Sequence, residues 1–349
     1  MKGKKEIICI KLKKDYICSA VIYNIMKIET INIQNFKSLA NVSIKGCKTF
    51  NLFIGRPNVG KSNIIEALSM FSIPYAAPMK KSIGEFLRIE QTPSLFYNGN
   101  ISSPITIEAG CFKIVAENLA ANRLKIKYET PKQTYDFEIA DLKIKKLTDE
   151  LPVFKPYNYD AHINRQKKQH SDMPFLNPWD GNNMMQIVQN NDDLKNYFAK
   201  LLQEDGLQLT FDMTYQEIRV LKPLSDNSSC ILPYNSLADS LKRLMFYKTA
   251  VGSNKDSVLM FEELEAHAYP PYISKIVQEI IDNKSNQYFI TTHSPYVLNE
   301  FLEDTSLDVA IHLVDFKDGG TVVKTLSDEE ISEVYNYGID LFFNTEAFL

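Results

Sequence analysis

The strongest constraint on this chain is the octapeptide Gly55-Arg56-Pro57-Asn58-Val59-Gly60-Lys61-Ser62, a complete G-x-x-x-x-G-K-S phosphate-binding loop. An apolar, strand-like stretch, Thr49–Ile54, runs into it, and Asn63–Phe71, apolar at helical spacing, runs out of it. The chemistry needs that order. Two glycines let the backbone wrap a phosphate chain with its N–H groups turned inward, while the helix behind presents its positive end. On this reading Lys61 reaches the outer phosphates, the Ser62 hydroxyl binds Mg2+, and the expected ligand is Mg·ATP.

A phosphate loop alone hydrolyses nothing: one carboxylate must help hold the metal and another must activate water. Both are available at Ser257–Glu263, where the apolar run Val258–Phe261 ends in Glu262 and Glu263. Two acids at the carboxyl end of a buried strand stand where ligands bind in an open parallel sheet. Glu262 is expected to approach Mg2+ through water and Glu263 to act as general base. A third strand-like run, Tyr288–Thr292, ends at His293, whose imidazole would face the terminal phosphate or the attacking water. Between these two runs a helical pattern from Tyr272 to Asp282 supplies the crossover that parallel strands require.

The chain has 349 residues, 44% of them hydrophobic, enough for a large α/β domain with an insertion. A net charge of −4 gives no global basic field for nucleic acid. Five dispersed cysteines without a C-x-x-C favour reduced thiols and a cytoplasmic setting. No apolar run approaches the roughly 20 residues that span a bilayer. The lysine-rich start reads as an extension, residues 1–25 being expected to be poorly ordered or peripheral, with the fold running from 26 to 349.

Within that fold, Lys27–Ile33 and Ala40–Ile44 read as a strand pair, and Ser82–Arg88 as a helix. Strands near Ile105–Ile107, Cys111–Val115 and Leu124–Tyr128 suggest an antiparallel meander, and residues 105–230 read as that meander plus an inserted helical lobe. Residues 150–185 are proline-punctuated and irregular, with a small basic cluster at 165–170 near Trp179; a solvated loop is the simpler reading of it than a nucleic-acid platform. Asp192–Gln203 is a helix by periodicity, followed by a strand pair at Leu207–Phe211 and Glu217–Leu221. There is no sustained heptad pattern and so no long coiled coil.

Taken together, N-F-K-S at Asn35–Ser38, the loop with its following Asn63, L-M-F-E-E-L-E-A-H at 259–267 and T-T-H-S-P at 291–295 resemble an ABC-type P-loop ATPase head of the RecF, SMC and OLD class. Ser236–Leu244, followed by F-E-E-x-E-A-H and Pro-Pro-Tyr, resembles more closely the ATPase subunits of bacterial anti-phage systems, those of PARIS first and Septu second. The resemblance implies that Lys37 and Ser38 join the ATP site and that two heads sandwich two nucleotides. It implies also that a signature segment at a helix N-terminus, here Ala238, Asp239, Ser240 and Arg243, caps the partner's γ-phosphate in trans. Ala238 stands where such segments carry Ser, Ser240 where they carry Gly, and Glu262 where most relatives carry Asp. These departures imply slow hydrolysis, with ATP binding serving as a switch. No residue is assigned as the glutamine of a Q-loop, Gln91 being a candidate for it. The stretch after His293 is short for a nuclease domain, so an effector is expected to be a separately encoded protein. A RecF-like DNA-binding protein and a non-hydrolysing scaffold are the competing readings.

Overall fold

The computed structural model describes residues 27–75, 82–120, 122–143, 152–159 and 173–349. The expected extension 1–25 and the basic cluster 165–170 lie outside the described residues.

The central sheet has the strand order β15-β14-β3-β13-β12-β8. Its strands are β3 (Phe50–Ile54), β8 (Phe154–Tyr157), β12 (Val258–Glu262), β13 (Gln287–Thr291), β14 (Val309–Lys317) and β15 (Gly320–Thr325). All neighbours are parallel except the β14–β15 hairpin. Every residue of β3 and β13 is buried, as expected of strands covered on both faces. Alternate side chains divide between two hydrophobic cores: Leu52, Phe261 and Ile290 enter one, Phe53, Met260 and Phe289 the other.

The second core is closed by an antiparallel sheet, β2-β1-β4-β5-β6-β7. It comprises β1 (Thr30–Phe36), β2 (Leu39–Lys45), β4 (Ile105–Ala109), β5 (Phe112–Ala120), β6 (Arg123–Glu129) and β7 (Thr134–Ala140). Strand β6, Arg-Leu-Lys-Ile-Lys-Tyr-Glu, buries Leu124, Ile126 and Tyr128 and sends the residues between them to solvent. Helix α1 (Lys61–Ser69) lies between the two sheets and buries Ile64, Ile65, Ala67 and Leu68 in that core.

The first core is covered by helices. After the short α2 (Ile83–Phe86) come α3 (Met184–Asn190), α4 (Asp192–Glu204), α5 (Asp239–Gly252), α6 (Pro270–Asp282) and α7 (Pro295–Leu302). The crossover expected between β12 and β13 is α6, with Ile273, Ile276, Val277 and Ile280 facing inward. A small sheet, β9 (Gln208–Asp212), β10 (Glu217–Pro223) and β11 (Ser229–Pro233), lies between α4 and α5 in sequence. After β15, α8 (Asp328–Tyr337) opens on a Ser327–Glu330 capping box, and Val334 and Leu341 complete the helical core. Thus the fold is α/β, with a mixed central sheet and an antiparallel β lobe.

Strand β8 arises in a segment that reads as irregular. Pro156 removes a backbone donor, and β8 occupies the sheet's edge, where that loss is tolerated. The helix expected over Ser82–Arg88 is a single turn, capped by Ser82 and ending ahead of Arg88, whose φ of 49° is left-handed. Trp179 is buried, so its ring is not available to stack on bases. Among the described residues no helix is long and apolar enough to cross a membrane, and Cys47, Cys111 and Cys230 form no disulfide.

Candidate functional site

Register builds the site. Phe53 of β3 pairs with Thr291 of β13, and Thr291 with Glu262 of β12, so the three form one row across the parallel sheet. One or two residues past that row lie Gly55, Glu263 and His293. Three tips of a sheet therefore open onto one cavity, of about 670 Å3, whose lining includes Lys61, Ser62, Glu262, Glu263 and His293. Its volume is in the usual range for a nucleotide-sized ligand.

In the loop, Asn58 (φ 64°) and Gly60 (φ 104°) take left-handed conformations, and Gly60 caps α1. A Cβ on Gly60 would lie 2.1 Å from Thr321 Oγ1, so only glycine fits. Lys61 is 5% exposed and donates to the carbonyls of Gly55 and Arg56, at 2.7 and 2.8 Å. Burial pulls its pKa down to about 8, opposed by Glu263, Glu265 and Glu262. Pro57, Asn58, Gly60, Ser62 and Asn63 also line the cavity. The Arg56 side chain turns instead to Asp315, at 3.2 Å, and Val59 is buried with its carbonyl accepting from Thr321. Ser38 Oγ lies outside the lining and bonds Thr321 Oγ1 and Asn63 Nδ2, each at 2.7 Å.

Glu263 holds a left-handed backbone (φ 44°), with its N–H donated to the Thr291 carbonyl at 3.0 Å. Its Oε1 is 3.4 Å from His293 Nε2. Burial lowers the His293 pKa, Lys61 lowers it further, and Glu263 opposes both. The imidazole is thus favoured neutral, able to orient a carboxylate or a water. Behind it, half-buried Glu265 accepts from the His293 N–H at 2.7 Å and from Thr292 Oγ1 at 3.0 Å, while its Oε2 has no hydrogen-bond partner. Burial raises the Glu265 pKa.

The opposite wall is ionic. Lys37, in the β1–β2 turn, pairs with Glu66 of α1 and donates to the Leu87 carbonyl at 2.5 Å. Arg88 Nε reaches Glu66 at 2.5 Å, and its Nη2 reaches both oxygens of Glu262 at 2.7 Å. Sequence reasoning missed Glu66, Arg88 and Glu265. Glu66 stands among apolar neighbours of α1, and that setting was its one signal; it is 4% exposed. Gln91, the Q-loop candidate, is exposed and does not line the cavity.

The signature segment divides. Asp239 begins α5 and accepts from Tyr159 Oη at 2.7 Å. Ser240 Oγ accepts from the Tyr269 N–H at 2.9 Å and contacts the His267 carbonyl at 3.4 Å, so its hydroxyl is engaged within the chain. Ala238 is exposed. Arg243 is buried against the Tyr159 ring and lines this chain's own cavity, whereas Ala238, Asp239 and Ser240 do not.

The donors fit Mg2+. It takes one or two protein oxygens and fills its shell with water and phosphate, and Ser62 with Glu262 supplies that kind of set. Among the described residues no cluster of three His, Cys, Asp or Glu forms a metal cage, and a phosphate-borne Mg2+ needs none.

A glycine-capped phosphate loop, paired acids and a histidine at converging strand tips define a P-loop nucleotide hydrolase. The chain belongs to the family described as AAA ATPase domain, which matches residues 26–249, and ATP hydrolysis is its activity. It is 24% identical to an "ATP/GTP phosphatase" of Helicobacter pylori (strain ATCC 700392 / 26695), over 83% of this chain and 90% of that protein. Among solved structures it is similar to an SMC head bound to the C-winged helix domain of ScpA (15% identity, TM-score 0.48, 88% of this chain and 99% of that one). It is similar also to the SMC head domain of Thermotoga maritima (13% identity, TM-score 0.45, 86% and 100%).

Proposed function

We propose that this cavity binds Mg·ATP and hydrolyses it slowly, with Glu263 as general base. The carrying observation is the placement of Lys61, Ser62, Glu262, Glu263 and His293 around one cavity. Phosphoryl transfer has a loose transition state, so positioning and charge stabilisation supply most of the catalysis. Glu263 accepts the proton of the attacking water, and His293, 3.4 Å away, holds that carboxylate in place. Lys61 leaves the carbonyls of its own loop for the outer phosphates and stabilises the charge that develops there. Mg2+, held by Ser62 and Glu262, would neutralise the phosphate oxygens. Phosphate release by the wild type beside Glu263→Gln tests this reading: comparable rates in the two proteins would sink it.

The finer reading is a dimerising switch in anti-phage defence that governs a separately encoded effector such as a nuclease. The likeness of Ser236–Leu244 and Phe261–His267 to the ATPase subunits of such systems supports it. With Arg243 in its own chain's cavity and the Ser240 hydroxyl engaged, the surface offered to a partner's nucleotide is the α5 N-terminus around Ala238. Light scattering with and without ATP, on Glu263→Gln, measures the switch. A monomer under both conditions removes the dimer; a purification that brings down no neighbouring gene product removes the effector.

A further inference from the structure

Arg88 occupies an unexpected place. Its Nη2 lies 2.7 Å from each oxygen of Glu262, the carboxylate assigned to the metal, while its Nε holds Glu66 at 2.5 Å. Glu66 keeps a second cation in Lys37, so it needs Arg88 less than Glu262 does. About half of the Arg88 side chain is exposed, so the guanidinium has room to withdraw. A guanidinium and a divalent cation cannot share one carboxylate a few ångströms apart without strong mutual repulsion.

We propose that Arg88 is a positioning residue and a stand-in for the metal: it holds Glu262 before loading and yields it as Mg·ATP enters. The inference rests on the Mg·ATP reading of the site. Its consequence is that Glu262 never stands in the cavity without a cation. Glu262 stays aimed at the cavity, and each arriving Mg2+ must displace a cation. Affinity for Mg2+ is thereby set lower than the bare carboxylates would give, and loading becomes sensitive to the free Mg2+ concentration. Arg88 withdraws onto Glu66, which fixes where it goes.

The test is equilibrium binding of a fluorescent ATP analogue to the full chain, titrated with Mg2+, for wild type, Arg88→Gln and Arg88→Lys. Removing the competing cation should lower the half-saturating Mg2+ by roughly threefold to tenfold in Arg88→Gln. Lysine keeps the charge but loses the fork, and should give an intermediate shift. Melting of Arg88→Gln, Glu262→Gln and the double variant supplies a readout independent of turnover. The two substitutions should be coupled without nucleotide and additive with saturating Mg2+ and ADP. A wild type that responds to Mg2+, beside an Arg88→Gln midpoint that is unchanged or raised, overturns the exchange alone. A wild type whose binding ignores Mg2+ overturns the metal-site reading and the exchange with it. Arg88→Lys carries the test if Arg88→Gln does not fold.

Discussion

The two walls of the cavity are built by different rules. One is made of strand tips: Gly55, Glu263 and His293 are aimed by a parallel register that buried side chains enforce on both faces of the sheet. The other is a chain of charges, Lys37–Glu66–Arg88–Glu262, drawn from a turn, a helix, a loop and one strand end. Apolar packing carries no charge for salt to screen, whereas the Arg88 end of that chain is half exposed and responds to salt and to small charge changes. The first wall can hold geometry through a catalytic cycle; the second can rearrange during it.

The largest effect should come from the rigid wall. Glu263→Gln keeps shape and hydrogen-bonding capacity but removes the base, and should cut phosphate release by about 10^2- to 10^4-fold with ATP binding retained. A fall in binding of similar size would mean that the strand tips do not hold their geometry without that charge. Gly60→Ala comes next: the added Cβ meets Thr321 Oγ1, and the φ of 104° is strained for alanine. A stability loss of about 1–3 kcal/mol in urea melts is expected, together with loss of nucleotide binding. Glu265→Gln probes how the histidine is held, since Glu265 takes the His293 N–H. Turnover should fall about tenfold or less, because the backbone of β13 still carries His293 to the tip.

A pH test probes the sheet behind the rigid wall. Lys155 of β8 is buried against Asn254, Ser257 and the Phe175 ring, and burial pulls its pKa down to about 7. Between about 7 and the ordinary lysine value the unfolded chain binds more protons than the folded one. Stability contributed by this site therefore rises with pH across that window, by at most ~1.4 kcal/mol per unit. Denaturation of wild type and Lys155→Met at pH 7 and pH 9.5 reads the difference; the variant should show the flatter profile. Equal slopes would show that the sheet accommodates a charged lysine there without penalty.

The same contrast explains what the sequence disclosed. Phe50–Ile54, broken only by Asn51, Val258–Phe261 and Tyr288–Ile290 are apolar runs that lead into the tip residues, so strand, burial and the chemistry at each tip can be read from a dozen neighbouring letters. Register then follows from packing. Arg88 and Glu66 carry no such signal, because their partners are fixed only when α1, the β1–β2 turn and β12 meet. Glu66 has the look of a solvated helical acid until the antiparallel sheet closes over it. Strand β8 hid behind a proline, and Arg243 behind a motif that directs attention to a neighbouring subunit. What was legible is what local order determines; what was not is what long-range assembly determines.

Thr321 gives this a temporal side. Its hydroxyl donates to the Val59 carbonyl and meets Ser38, which in turn holds Asn63. The phosphate loop is thus braced by a strand made more than 250 residues later in the chain. During synthesis the glycine-rich letters emerge early, yet the finished cradle must wait until the β14–β15 hairpin has left the ribosome and folded back. Nascent chains should gain their grip on nucleotide late and abruptly, so that a truncated product cannot tie up ATP.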